Sequence, residues 1–136
     1  MKKIAIVTLS DFNNYGNRLQ NYALERIITS QGYDVVSLVD FRPNLLKTSV
    51  KTSIKKDGIK FTDRMKKIRR LKNFLDFDKK YVNTFPVNAG EFSSVSDDEY
   101  HCFIVGSDQV WNPDWAKYTY DRMFLRFCSP TKRISY

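Results

Sequence analysis

Four segments along the chain are predicted to form β-strands. Residues 3–9 and 34–41 are rich in β-branched and aliphatic side chains, residues 99–105 end in the apolar run CFIV, and 132–136 (KRISY) resemble the start of a fourth strand. Short continuous apolar runs are typical of strands buried on both faces of a parallel sheet. Because a helical pattern separates the first two runs, the opening forty residues have the length of a right-handed parallel crossover.

An amphipathic helix of about four turns is predicted at 17–31. Arg18, Asn21 and Glu25 lie opposite its apolar positions, and Gly32 follows where a helix end favours a left-handed residue. The apolar positions recur three and four residues apart and are Leu19, Tyr22, Ala23, Leu24, Ile27 and Ile28. The sequence therefore predicts a helix with one apolar and one polar side.

A second amphipathic helix is predicted at 61–80, because apolar residues again step by three and four through a basic stretch. Residues 46–58 have no clean periodicity and are predicted to form an irregular loop or a short helix. The stretch 81–95, interrupted by a proline and a glycine, is predicted as a loop. Residues 123–127 are predicted as a short helix or strand.

Together these elements predict the α/β class, with a Rossmann-like parallel sheet flanked by helices in one domain, 1–136. A chain of 136 residues that is 42% hydrophobic can bury one core, which excludes a disulfide miniprotein and a disordered tail. No apolar run approaches the roughly 20 residues that cross a bilayer, and no signal-peptide pattern follows Met1. We therefore expect a cytoplasmic protein.

The net charge of +8 is concentrated in one segment, 44–80, which holds 13 Lys or Arg against four Asp. Three interpretations stay open: a solvated helix face, a patch that binds an anionic membrane surface, and a nucleic-acid site. Because Phe61, Phe74 and Phe77 are predicted to form the buried side of the basic helix, we do not expect nucleic-acid binding. A membrane patch would place the protein at the inner face of the membrane.

Residues with catalytic or metal-binding chemistry are few. Cys102 and Cys128 lack metal-ligand spacing and are predicted to be buried and reduced. The single histidine, His101, falls inside a predicted strand and is expected to pack in the core. No Ser-His-Asp set is recognisable, and no metal site is expected.

Ligands of an open parallel sheet bind outside the carboxyl ends of its strands. The predicted segments at those ends are 10–17, 41–44 and 106–113. In the first loop, Gly16 lets the backbone approach a ligand, and free N–H groups at the helix start suit a phosphate or carboxylate. The alternative is that Asn13 or Asn14 only caps the helix.

The loop 106–113 places polar side chains beside an aromatic ring. Asp108, Gln109 and Asn112 offer donors and acceptors next to Trp111. Amides and an aromatic plane together suit sugar recognition, because hydroxyl groups need polar partners and a pyranose face packs on a ring. The alternative is a structural Asx turn with Trp111 in the core.

Two motifs carry a family resemblance. Residues 14–24 read NYGNRLQNYAL and residues 103–113 read FIVGSDQVWNP, with QGYDV at 31–35 and KRISY at 132–136. In order and separation these segments resemble the polysaccharide pyruvyl transferase family over essentially the whole chain. The second motif is the more specific of the two.

The resemblance implies a fold and an activity. Family members resemble two-domain transferases of the GT-B type, and this chain would correspond to the N-terminal half. The implied reaction transfers a pyruvyl group from phosphoenolpyruvate, as a cyclic ketal, to a sugar of an exopolysaccharide, capsule or cell-wall glycan. The acceptor would be a sugar or lipid-linked glycan, phosphoenolpyruvate would be the donor substrate, and no cofactor is expected.

Because the polar residues of the two loops cluster at strand ends, Asp108 is the candidate catalytic residue, which would orient or deprotonate an acceptor hydroxyl, and Trp111 is the candidate stacking surface. The predicted substrate-binding residues are Asn14, Tyr15, Gly16, Asn17, Gln20, Gly106, Ser107, Gln109, Trp111 and Asn112.

The family's second domain, which supplies the basic residues and histidine that grip phosphoenolpyruvate, has no counterpart in these residues. We therefore expect a truncated half that forms the acceptor side of a cleft and lacks transferase activity alone. Apolar surface around Ile134 and Tyr136 would be exposed and favour self-association. The alternatives are a non-catalytic sugar-binding or interaction domain and half of a GT-B glycosyltransferase.

Overall fold

A computed structural model describes residues 1–9, 14–40, 61–88, 91–106, 110–112, 114 and 120–136. Within these residues the chain forms five strands: β1 (Lys3–Val7), β2 (Asp34–Asp40), β3 (Thr84–Val87), β4 (Cys102–Val105) and β5 (Arg133–Ser135). It also forms the helices α1 (Tyr15–Ser30), α2 (Phe61–Tyr81) and the short α3 (Tyr120–Met123). Single 3-10 turns lie at Phe92–Ser94, Asp97–Glu99 and Pro130–Lys132.

The strands form one parallel sheet in the order β3-β2-β1-β4-β5. β1 lies at the centre and pairs with β2 on one side and with β4 on the other. This is the Rossmann-like order, in which successive strands first run to one edge of the sheet and then to the other. The predicted α/β class and parallel sheet are confirmed, and the direction of strand order reverses between β1 and β4.

The prediction that 81–95 is loop is wrong, because Thr84–Val87 forms β3. Among the described residues β3 is an edge strand that pairs only with β2, with Pro86 opposite Val39. A proline cannot donate to a sheet, but an edge strand tolerates it because one side of the strand has no neighbour to receive the bond. The short strand and its proline hid this element from the hydrophobic pattern.

The predicted division of α1 into an apolar and a polar side holds only in part, since Ile28 is buried and Leu24 packs against the sheet as expected. Arg18, Asn21 and Glu25 are buried, whereas Leu19 is 58% and Ile27 is 62% exposed. The Arg18 guanidinium pairs with the Asp78 carboxylate of α2 at 3.1 Å, and the Glu25 carboxylate accepts the backbone N–H of Asn83 at 3.0 and 3.2 Å. Polar partners on α2 and before β3 therefore draw the polar side of α1 inward.

Two hydrophobic clusters lie on opposite faces of the sheet. We call the face with the larger cluster the apolar face, and its cluster joins side chains of the strands to those of the segments around them. We call the opposite face the α1 face, and its smaller cluster consists of Ile4, Ile6, Ile28, Val35, Cys102 and Ile104. The apolar face consists of Ala5, Val7, Val36, Leu38, Val87, Phe92, Tyr100, Phe103, Val105, Val110, Met123, Leu125 and Cys128.

Two predictions near β4 meet different outcomes. Cys102 and Cys128 are buried and free, as expected. His101 is exposed, so its predicted place in the core is wrong. It precedes β4, which is shorter than the predicted 99–105, and its ring stacks on Tyr33 at a centroid distance of 6.4 Å. At this position the side chain lies beyond the buried part of the strand.

The other elements largely follow the sequence pattern. Gly32 has φ +84°, the left-handed conformation expected after α1. The predicted 123–127 element begins earlier, as α3, and continues as turns. β5 forms in the predicted closing strand, with Ile134 and Tyr136 exposed as expected. The prediction for 46–58 falls outside the described residues. No helix in the described part of the chain is long and apolar enough to cross a membrane.

Candidate functional site

The reversal of strand order places both sequence motifs at one edge of the sheet. β1 ends at Val7 and β4 ends at Val105, and these two residues are paired partners. The chain after β1 leads to the start of α1, and the chain after β4 begins with Gly106. Ligands of doubly wound folds bind in the crevice at such a reversal. Of the three strand-end loops considered from the sequence, the described parts of two, 14–17 and 106 with 110–112, therefore adjoin this position. Residues 10–13, 41–44, 107–109 and 113 lie outside the described residues.

Asn14 is the N-cap of α1. Its side-chain oxygen accepts the backbone N–H groups of Gly16 at 2.8 Å and of Asn17 at 3.4 Å. A Cβ at residue 16 would lie 3.0 Å from that oxygen, so glycine leaves room for the cap. The capping interpretation of Asn14 is confirmed. Ligand contact by Asn14 and Gly16 stays a prediction.

The other predicted residues of this loop differ in exposure. Tyr15 is half exposed and stacks on Phe74 of α2, with ring centroids 4.4 Å apart. Asn17 of α1 is buried, and Gln20 is partly buried. Tyr15 is therefore the most accessible of these three side chains, and its ring packs on the ring of Phe74.

Trp111 lies at the surface rather than in the core. Its ring is 41% exposed, and its Nε1–H donates to the carbonyl of Met123 at 3.1 Å. Asn112 Oδ1 accepts the backbone N–H of Asp114 at 3.0 Å, which is the Asx-turn contact. The described part of the loop thus combines a structural turn with an accessible indole whose N–H is hydrogen-bonded. Sugar stacking on Trp111 stays a prediction.

Gly106 has a structural reason to lack a side chain. A Cβ there would lie 2.5 Å from the carbonyl oxygen of Tyr136. The backbone N–H of Tyr136 donates to the carbonyl of Val105, so β5 holds this approach in place. Any larger residue at 106 would displace the end of β5. Substrate binding at Gly106 stays a prediction.

Ser107, Asp108 and Gln109 fall outside the described residues. The catalytic prediction for Asp108 and the binding predictions for Ser107 and Gln109 are therefore untested by the geometry.

The structure brings a buried ion pair to this edge that the sequence pattern does not reveal. Asp40, the last residue of β2, pairs with Arg122 of α3, whose guanidinium also lies 5.2 Å from the centre of the Phe92 ring. Burial lowers the pKa of Arg122 to about 10, so it remains a cation at neutral pH. The partners are 82 residues apart, and no local pattern in the sequence marks either of them.

The described residues place little acid–base chemistry at this edge. His101 precedes β4 and therefore lies at the amino end of the sheet, away from the loops that follow β1 and β4. Among the described residues no group of three or more His, Cys, Asp or Glu could hold a metal ion. What is described at the carboxyl edge is the capped start of α1, an accessible indole and the Asp40–Arg122 ion pair. Ligand binding by these groups stays a prediction.

Fold and site together define a Rossmann-like α/β domain whose candidate ligand edge is built by the segments after β1 and β4. The model of the polysaccharide pyruvyl transferase family matches residues 14–136, from the cap of α1 to the end of the chain. The chain belongs to the polysaccharide pyruvyl transferase family, which confirms the family predicted from the two motifs. Searches of curated proteins and of solved structures found no match.

Proposed function

We propose that this protein acts in the transfer of a pyruvyl group from phosphoenolpyruvate to a sugar of an exopolysaccharide, capsule or cell-wall glycan, and that its loops bind the acceptor. The observation that carries the proposal is the coincidence of two findings. The family match covers both motifs, and the strand order brings the segments after β1 and β4 to the position where doubly wound folds bind ligands.

The chemistry of ketal formation divides the work between two sets of groups. A proton adds to the methylene carbon of phosphoenolpyruvate, two acceptor hydroxyls form C–O bonds to its central carbon, and phosphate leaves. This needs a general acid and a cationic phosphate clamp facing a positioned diol. We assign the diol to this chain, with Trp111 stacking on the sugar ring and Asp108 receiving a hydroxyl proton.

We assign the binding of phosphoenolpyruvate to groups outside these loops. In a cleft of the GT-B type, such groups would belong to a second domain that faces the acceptor site. In this proposal phosphoenolpyruvate is consumed as a substrate, no resident cofactor takes part, and the reaction occurs in the cytoplasm. The predicted hydrogen-bonding partners of the acceptor are Asn14, Asn17, Gln109 and Asn112.

Sugar binding without transfer is the second candidate. It is favoured by one observation: the described edge offers an exposed indole and amide groups, while the chain's single histidine lies at the opposite end of β4. Such a domain would keep the acceptor surface and perform no chemistry.

The experiment combines a binding arm and a transfer arm. The chain is mixed with hexoses that carry two neighbouring free hydroxyls, and matched hexoses methylated at one of the two serve as controls. Binding is followed by saturation-transfer NMR, and transfer by ¹³C NMR of the ketal carbon formed from labelled phosphoenolpyruvate.

We expect binding of at least one free diol, weaker binding of its methyl ether, and no ketal. Asp108→Asn is expected to weaken diol binding. Unchanged diol binding by this variant would contradict the assignment of Asp108 to the acceptor site. Absence of binding to every hexose would overturn the acceptor role. A ketal signal with the chain alone would establish the transfer and overturn the division of donor and acceptor groups.

A further inference from the structure

The first half of α2 stands apart from the core. None of residues 61–70 is buried, whereas Leu71 and Phe74 in the second half are. The second half is also held by the Arg18–Asp78 ion pair and by the stacking of Tyr15 on Phe74. The helix is therefore fixed at one end and presents its other end to solvent.

This exposed half carries two large apolar side chains one helical turn apart. Phe61 is 75% exposed and Met65 is 49% exposed, so the prediction that Phe61 belongs to the buried side of the helix is wrong. Together with Thr62, Lys66 and Arg69 they line a shallow groove of about 380 Å³. A partner that accepts both apolar side chains and basic charge would fit this surface.

The charge of α2 is strongly positive. The helix holds eight Lys or Arg and three Asp, and one of these Asp is engaged by Arg18. Seven of its basic residues are exposed: Lys66, Lys67, Arg69, Arg70, Lys72, Lys79 and Lys80. The basic charge thus surrounds and continues beyond the apolar pair.

We propose that the exposed half of α2 binds the surface of an anionic lipid bilayer, with Phe61 and Met65 entering the boundary between headgroups and acyl chains. Lys66, Arg69 and Lys72 then lie at the level of the lipid phosphates. This division is the one that interfacial helices use, since apolar burial and electrostatic attraction to anionic lipid add. The inference does not depend on the proposed function.

A nucleic acid is the less suitable partner. Its phosphates would engage the Lys and Arg side chains, and an exposed aromatic ring can stack on a base. The Met65 side chain would gain nothing from such a strand, whereas a bilayer accepts both apolar groups of the groove.

The test is co-sedimentation of the whole chain with vesicles of phosphatidylcholine alone and with vesicles that also contain phosphatidylglycerol. Lys66→Gln, Arg69→Gln and Lys72→Gln are combined in one variant, and Phe61→Ser with Met65→Ser in another. A matched charge control combines Lys2→Gln, Arg26→Gln and Arg126→Gln, three exposed bases outside α2. A matched apolar control combines Leu19→Ser and Ile27→Ser, which are exposed on α1. Circular dichroism verifies that each variant is folded.

We expect binding only to the anionic vesicles, with loss at high salt because screening shortens the Debye length from about 30 Å at 0.01 M to about 3 Å at 1 M. Losing three α2 charges should lower the partition coefficient about 100-fold, and losing Phe61 and Met65 should lower it by about the same factor. Both controls should stay near the native value.

Equal loss in the charge control would mean that net charge alone attracts the chain, and it would overturn the site. Unchanged binding of the Phe61 and Met65 variant, equal binding to phosphatidylcholine vesicles, or no binding at low salt would also overturn it. Tighter binding to duplex DNA than to anionic vesicles, measured at the same salt, would favour a nucleic-acid partner instead.

Discussion

The two faces of the sheet are closed by different kinds of contact. The apolar face buries thirteen hydrophobic residues in one cluster. The α1 face has six such residues, and beside them lies a polar seam that joins α1, α2, β2 and the residue before β3. Hydrophobic burial is non-directional, whereas each polar contact needs a partner at one place. The comparison indicates that the apolar face supplies most of the stability and that the seam fixes where the helices sit.

The polar seam consists of four contacts. Arg18 pairs with Asp78, and Glu25 accepts the backbone N–H of Asn83. The side-chain amide of Asn83 donates to the carbonyl of Val35 at 2.7 Å, and the Ser37 hydroxyl donates to Asn21 Oδ1 at 3.0 Å. Since α1 supplies three of these groups, its orientation depends on them.

The largest expected effect is on the apolar face. Phe103 is fully buried in β4, and Phe103→Ala removes a ring from the centre of that cluster. We expect the free energy of unfolding to fall by about 4 kcal/mol, measured by urea denaturation. Leu19→Ala, at an exposed position of α1, is the control and should change it by less than about 0.5 kcal/mol. A loss below about 1 kcal/mol at Phe103 would contradict the assignment of this face as the main core.

Breaking the ion pair of the seam comes next. Asp78→Ala leaves the buried Arg18 guanidinium without its carboxylate, and we expect a loss of about 3 kcal/mol in the free energy of unfolding. Asp76→Ala, at an exposed position of the same helix, is the matched control. In a double-mutant cycle, the loss at Asp78 should shrink once Arg18 is replaced by alanine. Strict additivity would show that the two residues do not interact.

A smaller effect is expected from the hydroxyl within β2. Ser37→Ala removes the buried hydrogen bond to Asn21 and should cost about 1 kcal/mol, read from the shift in the denaturation midpoint. Ser30→Ala removes an exposed hydrogen bond to the Ile27 carbonyl and should cost less. If the two substitutions lower the free energy of unfolding equally, the buried hydrogen bond of Ser37 stabilises the fold no more than the exposed one of Ser30.

The smallest effect depends on pH. Burial raises the pKa of Glu25 above its ordinary value, against the opposing hydrogen bond from Asn83 and the charge of Arg26. The folded state therefore binds this proton more tightly than the unfolded state does. The stability that Glu25 contributes is fully present below its ordinary pKa and is lost as pH rises through the folded-state pKa.

Glu25→Gln removes this titration while keeping an acceptor for Asn83. Its free energy of unfolding, relative to that of the native chain, should increase as pH rises from acidic to neutral. Glu99→Gln, at an exposed carboxylate, provides the comparison. A relative stability that falls with pH would mean that the Glu25 environment favours the charged form.

Sequence patterns predicted the parts of this fold that depend on local periodicity. The buried strands were found as short apolar runs, and both long helices because their apolar residues recur three and four apart. The left-handed Gly32 was found from its place after a helix. β3 was missed because four residues with a proline resemble a loop. The inward side of α1 was missed because the partners of Arg18 and Glu25 lie on α2 and before β3, far along the chain.

The candidate site divides in the same way. The capping role of Asn14 follows from residues beside it, and the placement of the two motifs at strand ends follows from the order of elements. Their convergence required the strand order, which places β4 next to β1. The Asp40–Arg122 pair joins β2 to α3, and no local pattern connects them.

The central claim, that the loops after β1 and β4 bind an acceptor sugar, is tested most directly at Trp111. The chain has two tryptophans, and Trp111→Phe would assign its indole N–H signal in a ¹⁵N-correlated spectrum. That N–H is held by the Met123 carbonyl while the ring is partly exposed, so a sugar stacking on the ring should shift a well-defined signal. We predict a saturable shift on titration with a hexose bearing two neighbouring free hydroxyls, and a weaker one with its methyl ether. An unmoved Trp111 signal with every hexose tested would contradict the account.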